Sequence, residues 1–81
     1  MKSIEVTVNF PDGERTVKMV SSDDIQKTKT GTLVVLFLKD NQQYTGIFQR
    51  CDDGMIILSP VAGGRKIALE SGWVESFLVA V

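Results

Sequence analysis

Histidine is absent from this 81-residue chain and cysteine occurs once. The first absence removes the commonest acid–base side chain near neutral pH. It also leaves Cys51 with no histidine to activate it, and no second thiol exists for an internal disulfide. Neither a nucleophilic enzyme nor a cystine-stapled secreted scaffold is expected, so the cytoplasm is the expected compartment. No sign of charge dominates either: nine basic and ten acidic residues leave a net charge of −1. Without a strong positive field, any binding to nucleic acid would depend on a local patch. Long hydrophobic runs are missing as well. The longest, Leu33 to Leu38, is strand-sized, and no membrane partner is expected. The opening "MKSIEVTVNF" alternates polar with apolar and does not read as a signal peptide. No cofactor or metal is expected. "GG" at Gly63 and Gly64 lacks the lysine and hydroxyl spacing of a nucleotide loop, and Asp23 with Asp24 lacks further oxygen ligands at loop spacing.

What the chain does have is period-two alternation. Ile4, Val6, Val8 and Phe10 point one way, Glu5, Thr7 and Asn9 the other, and "PDG" at Pro11 to Gly13 supplies a turn before a returning strand at Arg15 to Val20. Residues 1–20 therefore read as an N-terminal β-hairpin extension. Residues 21–31 are a polar connector with Ile25 as its apolar anchor, and Ser21 or Ser22 is placed to cap one helical turn. From residue 32 to 81 five short strands follow. Leu33 to Leu38 precedes a polar turn at Lys39 to Gln42, where Asn41 suits left-handed geometry. Gln43 to Arg50 carries Gly46 in mid-strand, the mark of a bend, a bulge or a close backbone approach. Met55 to Leu58 follows the turn "CDDG", and Arg65 to Leu69 and Trp73 to Val81 complete the set. The class expected is all-β: a small, strongly bent five-stranded barrel behind an N-terminal hairpin.

Two of these strands are apolar on both faces. Val35 and Phe37 are expected to face the core, leaving Val34, Leu36 and Leu38 as a second apolar row. In the last strand Phe77, Val79 and Val81 alternate with Leu78 and Ala80. Bare rows of this kind invite pairing, so cover is expected from a neighbouring copy in a homo-oligomer or from the hairpin.

An apolar strand, the turn "KDNQQ", Tyr44, Gly46, Phe48, Asp52, then Met55 ahead of Ile57 and Leu58 make up a pattern. It resembles the first motif of the Sm-like (LSm/Hfq-like) proteins. The resemblance runs from about Thr32 to the C-terminus and implies a five-stranded bent barrel whose last two strands pair between subunits to close a ring. It also implies single-stranded RNA, especially uridine-rich RNA, as the partner. Gly46, Asp52 and Met55 match the structural positions of the motif, Asp52 accepting hydrogen bonds from the adjacent turn.

The positions that would carry RNA are substituted. Gly54 stands at the base-stacking position before the methionine, and Ile56 replaces the asparagine that reads the base. In the second motif Glu70 replaces arginine and Ser71 replaces glycine. Stacking contributes roughly 1–3 kcal/mol per base, and phosphates need cations. Trp73 could offer a stacking surface, although packing in a core or an interface is the expected role for it. Arg65 and Lys66 after the two glycines are the best basic candidates, beside Lys39, Arg50 and the pair Lys27 and Lys29; the alternative is that these charges are simply solvated. Two functions from different classes are thus expected. One is a ring that binds single-stranded RNA through displaced contacts, and the other is a protein-interaction module without nucleic-acid binding.

Overall fold

Period-two patterning becomes strands throughout, and the computed structural model, which describes residues 2–81, has no α-helix among them. The strands are β1 (Ile4–Phe10), β2 (Gly13–Ser22), β3 (Leu33–Leu38), β4 (Gln43–Asp52), β5 (Met55–Pro60), β6 (Ile67–Glu70) and β7 (Val74–Ala80). They form one open antiparallel sheet in the order β1-β2-β7-β3-β4-β5-β6. No helix among the described residues is long and apolar enough to cross a membrane.

The N-terminal hairpin is registered by Phe10 opposite Gly13 and Ile4 opposite Met19. Its turn is clamped by Arg15, which donates to both oxygens of Asp12 at 3.0 and 3.1 Å and lies 4.3 Å over the Phe10 ring. The hydrogen bond, and then the guanidinium charge, hold the Asp12 carboxyl below the usual carboxylate range. Because the folded pKa is lowered, the clamp is complete above the ordinary carboxylate pKa and is lost as pH falls through the lowered value. An NMR titration of the Asp12 carboxyl should show this depressed midpoint in the native chain. It should return to an ordinary one in Arg15→Gln, with little change in global stability because the pair is exposed.

The hairpin is part of the sheet. β2 pairs with β7 from Met19 opposite Ala80 to Ser22 opposite Phe77, and β7 pairs on its other side with β3. Consequently both faces of the central strands are covered within one chain. On one face Val34, Leu36, Leu38, Phe48, Ile56, Leu58 and Phe77 form the main core. On the other, Val35 and Leu78 pack with Met19, flanked by Val17, Phe37 and Ala80. The structure thus reverses the expected facing: the Val34 row lines the main core, and Val35 and Phe37 meet the hairpin. Periodicity separates two rows but cannot rank them when both are apolar. The hairpin, one of the two expected covers, is in place on this face. Val81 lies beyond the last pairing and is 84% exposed.

The connector holds a single 3₁₀ turn at Ile25–Lys27, capped by Asp24 instead of either serine; its carboxylate accepts from the Gln26 N–H at 3.0 Å. The connector then runs onto β4. The Gly31 N–H donates to the Phe48 carbonyl at 2.7 Å, the Phe48 N–H donates to the Thr32 carbonyl at 2.8 Å, and the Thr30 hydroxyl donates to the Gln49 carbonyl at 2.8 Å. Those bonds secure a bulge, since the β4–β5 register shifts between Phe48 and Arg50. Gly46 lies opposite both Val34 and Pro60, and β5 passes close to it. A Cβ there would lie 3.0 Å from the Ser59 carbonyl oxygen. Close approach and bulge together turn β4, carrying β5 and β6 round the main core so that Leu69 packs against it.

Candidate functional site

At the end of β4 the turn Asp53-Gly54 has positive φ at both residues, +52° and +76°, the geometry that favours Asp-Gly in two-residue hairpins. That turn sets Asp52 opposite Met55, and β6 continues the ladder with Met55 opposite Glu70 and Ile56 opposite Leu69. The Ser71 N–H then donates to the Gly54 carbonyl at 2.8 Å. Gly54, Ile56, Glu70 and Ser71, from opposite halves of the strand region, are therefore brought to one end of the sheet. Their side chains do not make one surface. Ile56 is 1% exposed and belongs to the main core, whereas Glu70 is exposed.

Two clefts open around this end. The first, of about 360 Å³, reaches down to Ile56 and Ser71 and is bordered by Asp23 and Glu75. The second, of about 370 Å³, lies between β6 and the β3–β4 turn. Tyr44, Met55, Leu69 and Trp73 supply its apolar and aromatic wall, and Asp40 and Glu70 supply carboxylates. Local hydrogen bonds fix its rim: the Gln42 N–H donates to the Asp40 carboxylate at 3.2 Å, and the Lys39 N–H donates to the Trp73 carbonyl at 3.0 Å. Trp73 stands outside the last strand, in a 3₁₀ turn at Ser71–Trp73, and is 49% exposed. Of the two packing roles expected for it, a core or an interface, it does not take the core one.

The basic candidates are distributed over separate elements. Arg65 and Lys66 are exposed in the loop between β5 and β6, at the far end of those strands from Gly54. Lys39 is exposed in the β3–β4 turn beside Asp40. Arg50 projects from β4 and borders a different cleft, of about 390 Å³, with Gln26, Thr28 and Thr30. Lys27 and Lys29 line a further shallow cleft by the connector. Cys51 is half-buried against the main core, a packing position. Sequence reasoning missed the aromatic and acidic cleft because Asp40 and Tyr44 sit some thirty residues before Glu70 and Trp73. The available signal was "ESGW", whose serine and glycine favour a turn that holds a tryptophan off the strand.

Neither a family model, nor a curated protein, nor a solved structure matches the chain.

Proposed function

We propose that this chain is a non-enzymatic protein-interaction module built on an Sm-like bent sheet, and that it does not bind single-stranded RNA through the Sm-like pocket. Support for the Sm-like part comes from the order β7-β3-β4-β5-β6, the Gly46 approach in the second of these strands by sequence, and the short turn joining β6 to β7. The observation that carries the functional part is the chemistry around Gly54 and Ser71. Asp23, Glu75, Asp40 and Glu70 border the two clefts there, where a phosphate backbone needs cations, and Ile56 is turned into the core. The ring of the family would use the outer edge of the last strand. In this chain that edge carries β2, so the module works without a ring closed in that way. The absence of a disulfide framework suits a reducing compartment such as the cytoplasm.

The test combines light scattering with titration of labelled uridine-rich and adenosine-rich RNA at low and moderate salt. The expected result is a monomer whose anisotropy signal stays flat at both salts up to about 100 μM protein, the weak end of ordinary non-specific binding. Micromolar binding that falls steeply with salt, and is abolished by Arg65→Ala with Lys66→Ala, would establish the RNA reading instead.

A further inference from the structure

We propose that the seam between β6 and the β3–β4 turn receives an extended, basic segment of a partner protein, one arginine or lysine of which lies on Trp73 between Asp40 and Glu70. This rests on the reading of the chain as a protein-interaction module and names the surface and the chemistry of the partner.

Three observations converge on the seam. Among the described residues β6 is the last strand of an open sheet and is bonded only to β5, so its other edge presents N–H and C=O groups to an incoming strand. Beside that edge is an aromatic and apolar wall that stays uncovered, Trp73 being half exposed next to Tyr44 and Met55. Of the nine residues around this cleft none is basic, and Asp40 and Glu70 are acidic. A guanidinium or ammonium group on an alkyl stem satisfies all three at once. Its stem covers apolar surface, its head meets an aromatic face, and carboxylates neutralise it. Arginine fits best, because its planar group stacks and forks to a carboxylate.

The same features weigh against the other occupants. A nucleic acid could stack a base on Trp73, but its phosphates would then pass two carboxylates. A second copy could offer either of its free edges, β6 or β1; β6, "IALE", has no basic residue within the strand and would set one Glu70 near another. The β1 strand, "IEVTVNF", has no basic residue and carries Glu5, so its charge does not complement the seam.

The chain has one tryptophan, so its emission reports on this site alone. The probe is an acetylated and amidated peptide, Thr-Val-Thr-Arg-Thr-Val-Thr, and the control replaces its arginine with uncharged citrulline. The arginine peptide should shift Trp73 emission saturably and move the backbone amide resonances of residues 67–70. The citrulline peptide should bind about tenfold more weakly. Asp40→Asn and Glu70→Gln, both at exposed positions and hence safe for folding, should each weaken the arginine peptide several-fold, and Trp73→Ala, which also removes the fluorescent reporter, should abolish the amide shifts of residues 67–70 while the thermal melt remains cooperative. Equal affinity for the two peptides overturns the proposal, as do amide shifts confined to β1 or to the loop at residues 61–66. If neither peptide nor uridine-rich RNA perturbs Trp73, the seam fails while the module reading stands. If RNA alone perturbs it, both fail. Self-association lost in Glu70→Gln would make a second copy the occupant, and that also overturns the proposal.

Discussion

Replacing Met19 with alanine should lower the stability of the chain by about 3 kcal/mol, within the 2–5 kcal/mol usual for emptying a buried methionine site. Met19 has no exposed surface and is the largest of the fully buried side chains. It sits where the hairpin meets the rest of the sheet, opposite Ala80 on β7 and packed with Val35 and Leu78. The main core cannot relax into the vacated space, because it lies on the other face of β3 and β7. Domains of this size are usually stable by only about 5–15 kcal/mol, so such a loss would be a large share of the total. Urea denaturation should show a lower midpoint. Native-state exchange should show β2 amides opening earlier than those of β3 and β4, since the hairpin would fray first. A second consequence follows from the same packing. As the hairpin frays it uncovers Val35, Leu78 and the outer edge of β7, so the variant should self-associate more strongly with rising concentration than the native chain. A cost below about 1 kcal/mol, with no change in association, would mean that the hairpin is not integral to the fold.

That role for the hairpin marks the boundary of what the sequence made legible. Its existence followed from the alternation of Ile4 to Phe10 and the turn "PDG", and the strands from Leu33 onward were legible for the same local reasons: Asn41 does take positive φ, and Asp53-Gly54 does make a tight turn. The place of the hairpin was not legible. Val35 and Val34 are the same residue type on adjacent positions, and only the pairing of β2 with β7 decides which one meets Met19. Nothing local encodes a pairing between residues 19–22 and 77–80. The candidate site divides along the same line. That Glu70 and Ser71 lie near Gly54 could be anticipated through the Sm-like resemblance, but the burial of Ile56 and the exposure of Trp73 depend on how far the sheet curls. The connector shows a finer limit, since serine and aspartate are comparable caps and tertiary placement chose Asp24.

Gly46, where β5 passes close to β4, is the position at which substitutions should have the other large effect. Gly46 is buried, and an added Cβ would lie 3.0 Å from the Ser59 carbonyl oxygen and 3.3 Å from the Leu58 Cβ. The first neighbour is backbone in a paired strand, with Ser59 opposite Ile47, so it cannot swing away as a side-chain tip could. Gly46→Ala should therefore cost about 1–2 kcal/mol and Gly46→Val about 3 kcal/mol, by forcing β4 and β5 apart. Gly54→Ala provides the contrast. Nothing lies within 4 Å of a Cβ there, but φ is +76°, so its cost of about 1 kcal/mol would come from backbone strain alone. If the Gly46 penalty is steric, it should rise with side-chain volume from alanine to valine, whereas the Gly54 penalty should arrive almost whole with alanine and grow little with a longer, unbranched side chain. Denaturation midpoints of the four variants, with Gly54→Gln as the larger substitution at that turn, separate the two cases. Because the close approach at Gly46 positions β5, and through it β6, Gly46→Ala should also change Trp73 emission in the still-folded chain. An unchanged emission alongside the stability loss would mean that the curl at Gly46 and the width of the seam are set independently.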